Sequence, residues 1–368
     1  MSNAMDEEIK TLPQNEVTDD IIDPSEKEDD ECSPTVRYEI TSYGADYPVD
    51  SLVKRLQAGD ILNPEFQRGF VWTRAQASRF IESLLLGLPV PGIFLSKDPE
   101  TQRLFVIDGQ QRLNTLRCFF EGELNAGLFK LKGVKKEFEG LTYKTLSEED
   151  RRKLDNAIIH ATIIRQEDPE HDHSSIHLVF ERLNTGGTPL SAQEIRKCVY
   201  GGEFDDLISE LNADSHWRAL YGPQNKRAKD KELILRFFAL VYDLHHYKRP
   251  MKLFLSDFMA SNQHLNKFSG EELKNLFKKT IAFAIDHLGS KAFRPERALN
   301  AAITDALLVG TARRLKKGPI KNPDQYKAAY RKLIDTEKFL EKCKSATTDQ
   351  ENIIQRISVA TEAFEQAQ

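Results

Sequence analysis

Residues 108–112, Asp-Gly-Gln-Gln-Arg, supply the groups a polyanion site needs, in the order a strand-to-helix turn would present them. Leu104 to Ile107 reads as a strand. Gln110 to Phe120 reads as the helix leaving it, with Leu113, Leu116 and Phe119/Phe120 on its packed side. The first N–H groups of a helix lack intrahelical acceptors, and the helix dipole adds partial positive charge there. Gly109 carries no Cβ, so an anion can approach the backbone closely. Arg112 can grip a phosphate through two N–H groups, while Gln110 and Gln111 can donate amide hydrogens or orient a water. Asp108 is the odd member, because a carboxylate repels phosphate unless a cation or a proton intervenes. It therefore suggests Mg²⁺, or a base acting on water. The local sequence fits equally well a plain turn in which Asp108 caps the helix.

The elements that must position this turn can be read on either side. Val36 to Ile40 alternates like an edge strand, residues 50–58 form a short helix, and Ile61 to Arg68 is extended around Pro64. Thr73 caps an amphipathic helix that turns Phe80, Ile81, Leu84 and Leu85 inward, and Gly87 stops it. Pro91 to Leu95 reads as a buried strand. Beyond the turn, Ser147 opens a charged helix, Ile158 to Ile164 is a strand, and a helix through Ile176, Val179, Phe180 and Leu183 runs into Asn184-Thr185-Gly186-Gly187. Ser191-Ala192-Gln193-Glu194 is a capping box. No convincing strand follows Gly201-Gly202; helices are expected at 203–212, 229–247, 271–288, 296–315, 324–342 and 349–366. The fold class expected is α+β: a small mixed sheet with packed helices, then an all-helical domain. The boundaries are 1–36 for an arm, 37–200 for the sheet-bearing domain and 201–368 for the helical one.

Bulk properties exclude several classes. The 368 residues contain no apolar run long enough to cross a bilayer, and the acidic N-terminus is unlike a secretory signal, so a cytoplasmic protein with no membrane partner is expected. Met1-Ser2-Asn3-Ala4 reads as a tag remnant, with native sequence starting at Met5. Cys32, Cys118, Cys198 and Cys343 lie far apart and form neither a zinc knuckle nor a disulfide framework; Cys118 and Cys198 read as buried thiols. Residues 1–34 hold twelve Asp/Glu against Lys10 and Lys27, a net of −10, so the overall −5 leaves 35–368 at +5. Such an acidic, aromatic-poor arm is expected to be disordered. It reads as a solubilising tail or as an autoinhibitory mimic of nucleic-acid phosphate.

The order Asn63-Pro64…Gln67-Arg68, helix, Pro91, strand, Gly109-x-x-Arg112 resembles the two boxes of ParB partition proteins, whose fold sulfiredoxin shares. Phe66-Gln67-Arg68…Trp72, Ile81-Glu82-Ser83-Leu84-Leu85…Leu88-Pro89, Ile107 to Leu113 and Phe180 to Gly187 together resemble the DGQQR family. That family is named for the N-terminal domain of GmrSD-type modification-dependent restriction endonucleases, and the likeness covers about residues 37–200. The resemblance implies a ParB/sulfiredoxin-like fold that binds a nucleoside triphosphate with Mg²⁺ and couples hydrolysis to action on foreign or modified DNA. By position, Gly109, Gln110 and Arg112 would hold phosphates and Asp108 and Gln111 would be catalytic, Asp108 also serving the metal. Gln67 and Arg68 would close over the anion, and Asn184, Gly186 and Gly187 would form a second polar turn, which also reads as a helix C-cap.

One departure limits this reading, and one possible metal site stands apart from it. No His–strand–helix constellation of an HNH nuclease follows residue 200, so cleavage by this chain alone is not expected and a separate nuclease subunit is. His173 and His177 have a metal-ligating spacing with His171 nearby, yet no matching Cys or carboxylate pattern accompanies them. Basic clusters at 151–153, 226–229, 248–249 and 313–317 are ordinary solvated faces or, if they converge, a phosphate track; Trp217 and Tyr221 could stack on bases or fill the core. The leading expectation is a nucleotide-binding, NTP-hydrolysing component of a restriction or phage-defence system, with DNA as partner and homo-oligomerisation open. The alternatives are a non-catalytic nucleotide-gated DNA- or partner-binding module and a metal-dependent nuclease using the Asp108 region.

Overall fold

The computed structural model describes residues 21–23, 39–62, 72–98, 101–168, 179, 191–295 and 297–367. Its strands are β1 Ile21–Ile22, β2 Glu39–Pro48, β3 Ile61–Leu62, β4 Ile93–Lys97, β5 Leu104–Asp108, β6 Glu123–Leu124, β7 Gly127–Leu128, β8 Ile158–Asp168 and β9 Leu299–Asn300. Around the main sheet stand α1 Val49–Ala58, α2 Arg74–Leu85, α3 Gln110–Glu121 and α4 Glu148–Asn156. The order in the sheet is β2-β8-β4-β5-β3. β8 runs parallel to β4 and β3 parallel to β5, while β2 and β8, and β4 and β5, are antiparallel. The architecture is thus α+β, a mixed five-stranded sheet followed by a helical region.

Alternation explains which side of the sheet is covered. Ile93 and Leu95 of β4, Leu104 and Val106 of β5, and Ile159, Ala161 and Ile163 of β8 are buried. They share a core with Val49, Leu52 and Val53 of α1, Ile81 and Leu84 of α2 and Leu113, Leu116 and Phe119 of α3. Local signals set the helix ends as the sequence suggested. Thr73 makes a full capping box with Gln76, Ser147 accepts from the Asp150 N–H, and Ser191 pairs reciprocally with Glu194. The edge strand expected at Val36–Ile40 is described from Glu39 onward as the longer β2, at the open edge of the sheet, while Val36 to Tyr38 lie outside the described residues.

The helical region comprises α5 Ala192–Tyr200, α6 Glu203–Leu211, α7 Ser215–Tyr221, α8 Lys229–Tyr242, α9 Met251–Ser261, α10 Gly270–Leu288, α11 Ala301–Lys316, α12 Pro323–Ile334, α13 Glu337–Lys344 and α14 Gln350–Glu365. Two of these, α7 and α9, were not expected, and the single helix expected over 324–342 breaks at Asp335 and Thr336 into α12 and α13. α8 and α11 lie at the centre: every residue from Leu233 to Leu240 and from Ala301 to Ala312 is buried. That all-round burial accounts for their weak amphipathic pattern. Ile107 belongs to this second core, and Phe94 and Ile164 pack against it, so the helices meet the other face of the sheet.

Three sequence expectations are corrected here. The acidic arm, expected to be disordered through residue 36, docks at residues 21–23: β1 pairs in parallel with β9 of the helical region. β9 is also a strand, though only of two residues, where none was expected. Asp23 then places Oδ2 2.8 Å from Nη1 of Arg236, whose Nη2 donates to Asp305. Of the two readings of Trp217, base stacking or core, the structure selects the core: it is fully buried with its Nε1–H donated to Asn212. Cys343 is fully buried, and burial pushes its thiol up to about 12. Cys118 is only half-buried, less than expected, and burial likewise raises it.

Candidate functional site

β5 ends on Asp108, and α3 begins two residues later, so the strand-to-helix turn predicted from the sequence is present. Its N-cap is Gly109, not Asp108, and no side chain caps the helix. The glycine is demanded by conformation and by packing. Its φ is +100°, and an added Cβ would stand 2.4 Å from Cγ2 of Ile93. The space a side chain would take is therefore filled by β4 from below, which holds the turn against the sheet.

Freed from capping, Asp108 pairs with Arg112. Nη2 of Arg112 donates to Oδ2 of Asp108 at 2.7 Å and to the Gly92 carbonyl at 2.9 Å. The pair is graded in exposure, with the Arg112 side chain 15% accessible and the Asp108 side chain 40%. Nε of Arg112 is buried and has no partner among the described residues. Thus the guanidinium lies inside the turn, and the carboxylate, with its other oxygen Oδ1, opens toward solvent. Gln111 binds the preceding helix: its Oε1 accepts from the Trp72 N–H at 3.3 Å, one residue before the Thr73 cap of α2. This tie puts the chain that follows the first box next to the second box.

Among the site residues expected from sequence, Asp108, Gly109, Gln110, Gln111 and Arg112 are brought together on this turn. Gln67, Arg68, Asn184, Gly186 and Gly187 lie outside the described residues, as do His171, His173 and His177. Several cations of the basic clusters are paired. Arg152 and Lys153 pair with Glu148 and Glu149, Arg249 with Asp349 and Lys317 with Glu365, while Arg314 donates to the Ala367 and Gly318 carbonyls. One cluster was passed over in the sequence: Asp243, His245 and His246 bring their ligand atoms within 4.8 Å of one another on the surface. Nδ1 of His246 lies 2.7 Å from Asp243, which a surface ion pair explains equally well. The roles of Gly92 and Ile93 were also missed. Their signal was a glycine opening a buried strand, which marks a close backbone approach.

The sheet and this turn define an α+β protein whose exposed ionic turn is fixed between a glycine-led strand and a helix N-terminus. Residues 49–201 match the family model described as GmrSD restriction endonuclease, N-terminal domain. The chain carries a segment that resembles that domain. An uncharacterized protein of Methanocaldococcus jannaschii, MJ0686, is 35% identical over 89 residues, covering 18% of this chain and 15% of that protein. The chain thus spans a small part of that relative. Among the described residues, no helix is long and apolar enough to cross a membrane.

Proposed function

We propose that this chain is a nucleotide-binding, NTP-hydrolysing component of a restriction or phage-defence system acting on foreign or modified DNA. The observation that carries the reading is the Asp108–Arg112 pair on an uncapped helix N-terminus at the exposed end of β5. An uncapped first turn and a guanidinium held beside it both favour a phosphate. Because Nη2 is engaged with Gly92 and Asp108, a phosphate oxygen would meet Nη1 of Arg112 or draw the guanidinium off Asp108. Gln67, Arg68, Asn184, Gly186 and Gly187 are proposed as further phosphate contacts.

Magnesium fits the donor set, since Mg²⁺ is commonly held by one or two carboxylates together with substrate phosphates. Asp108 would hold it through Oδ1, the oxygen that Arg112 leaves unused. Bound there, the ion would neutralise phosphate charge and polarise phosphoryl oxygens. The protein's own part is to hold Asp108 beside the guanidinium, to fix the turn through Gly109, and to hold the segment before the neighbouring helix through Gln111.

The test is phosphate release from a panel of nucleoside triphosphates with Mg²⁺, with and without DNA. Release is expected to fall at least about a hundredfold in Asp108→Ala, the scale on which removal of one catalytic group acts. No nucleotide binding in calorimetry, together with a silent Arg112→Ala, would overturn the proposal. A second reading, a nucleotide-gated DNA- or partner-binding switch without turnover, is favoured by the engagement of Asp108 with Arg112. Tight binding without phosphate release would select it.

A further inference from the structure

A histidine–aspartate pair stands at the same end of the sheet as Asp108. Register partners on neighbouring strands project to one face of a sheet. Phe94 is the partner of Asp108 on one side and of Thr162 on the other, and Thr162 is the partner of Gly44. Phe94, Thr162 and Gly44 therefore form one row across the face away from the first core, and a bulge beside Leu95 sets Asp108 opposite Phe94 at the end of that row. Two residues before Thr162 on β8 is His160, whose register partner is Asp46 of β2.

Nδ1 of His160 lies 2.8 Å from Oδ1 of Asp46, and the two side chains are 61% and 67% accessible. Two glycines clear the space around the ring. A Cβ at Gly44 would stand 2.8 Å from Cε1 of His160, so the ring leans over that backbone. At Gly92 a Cβ would stand 2.8 Å from the His160 carbonyl oxygen. Gly92 also gives its own carbonyl to Arg112. One residue thus touches the backbone of His160 on one side and the guanidinium of the turn on the other.

We infer that His160, oriented by Asp46, is a second anchor of the anion site, and that it lengthens the site so that a triphosphate chain is preferred over a single phosphate. The inference rests on the reading of residues 108–112 as a phosphate site. With Nδ1 committed to Asp46, Nε2 is the ring atom left for a ligand, and it has no partner among the described residues. In the imidazolium form both nitrogens donate, one to Asp46 and the other to a phosphate oxygen. β5 and β8 are two strand spacings apart, about 10 Å. A lone phosphate cannot reach both anchors, whereas an extended triphosphate can. Asp46 precedes the 49–201 segment that matches the restriction-endonuclease domain, so this pair is assembled partly from outside that segment.

Calorimetry on the full chain with Mg²⁺ tests this with inorganic tripolyphosphate, pyrophosphate and orthophosphate, which remove any contribution from a base. Wild type should bind tripolyphosphate most tightly. His160→Ala should weaken tripolyphosphate about tenfold or more, the scale of one hydrogen bond to a charged group, and leave orthophosphate unchanged. Asp46→Asn should weaken tripolyphosphate less, about threefold, because it only loosens the ring. Unaltered melting curves would confirm that the variants fold. If tripolyphosphate binding is lost in Arg112→Ala but kept in His160→Ala, the second anchor fails and the phosphate site stands. If wild type binds no tripolyphosphate, or Arg112→Ala has no effect on it, the phosphate site fails and the anchor with it.

Discussion

Two of the arginine–aspartate arrangements among the described residues are built on opposite principles. At the turn, Asp108 and Arg112 are four residues apart on one local element, and the carboxylate is 40% accessible. In the helical region, Arg236 and Arg356 stand with Asp305 and Asp23, drawn from α8, α14, α11 and the N-terminal arm. There the side chains of Arg236, Asp305 and Asp23 are only 1%, 2% and 9% accessible. Burial opposes the charge of Arg236, but the carboxylates of Asp23 and Asp305 outweigh it and hold its pKa above the ordinary arginine value. A buried network of this kind is closed: Arg356 adds a bond to the Thr347 carbonyl, and water has little access. The turn is the reverse, with a carboxylate oxygen left to solvent. Charges paired ion for ion inside the protein fasten elements, whereas a charge left partly open is available to a ligand.

The largest effect should come from breaking the closed network. Arg236→Ala leaves Asp305 buried with only the more distant Arg356, 3.5 Å away, and is expected to cost about 3–5 kcal/mol. Urea unfolding would read this as a lowered midpoint at constant slope. A loss below about 1 kcal/mol would show that the network is no fastener. Next in size is Asp23→Ala, expected to cost about 2 kcal/mol, because Asp305 still answers Arg236 after the arm lets go. Removing residues 5–23 should cost at least as much, as it also takes away the β1 pairing and the packing of Ile21. A deletion much milder than Asp23→Ala would mean that the arm does not dock through this carboxylate.

These two regions were unequally legible in the sequence, for a physical reason. The turn is local: a strand, Asp108-Gly109 and an amphipathic helix lie within one short stretch, and capping residues such as Thr73 and Ser191 announce helices within three residues of themselves. The buried network depends on contacts between Asp23, Arg236, Asp305 and Arg356, which no periodicity connects. The arm looked disordered because its composition is acidic and poor in aromatics, yet Ile21-Ile22-Asp23 supplies two apolar residues and one matched charge, enough to dock. Pairing across strands was hidden for the same reason. Asp46 and His160 are distant in sequence, and only the β2–β8 register makes them neighbours. Some misses were avoidable: Asp214 and Gly222 bracket α7 with readable stop and start signals. The break between α12 and α13 has no glycine or proline to mark it.

A third substitution separates what the turn needs for shape from what it needs for chemistry. Gly109→Ala must place a Cβ against Ile93 at a positive φ, and about 1–3 kcal/mol of backbone strain is expected before any repacking. Pairing it with Ile93→Ala should recover part of the packing loss and none of the φ strain. Phosphate binding should follow the turn and weaken in both variants. If the double variant regains full stability, packing alone fixes the turn and the left-handed conformation is incidental.

The smallest stability effect belongs to the pair on which the functional reading rests. Asp108 and Arg112 form an i,i+4 contact with one partner open to solvent, an arrangement that contributes roughly 0.3–0.5 kcal/mol. A double-mutant cycle with Asp108→Ala and Arg112→Ala should return a coupling of that order in urea unfolding, falling further with added salt. The same cycle on Asp23 and Arg236 should give a coupling several times larger and nearly insensitive to salt, because ions cannot reach the pair. Phosphate binding should rank the two sites the other way, lost with Arg112→Ala and kept with Asp23→Ala as long as the protein stays folded. A large, salt-resistant coupling at Asp108–Arg112 would place that pair among the structural fasteners and leave the turn without an open charge to offer.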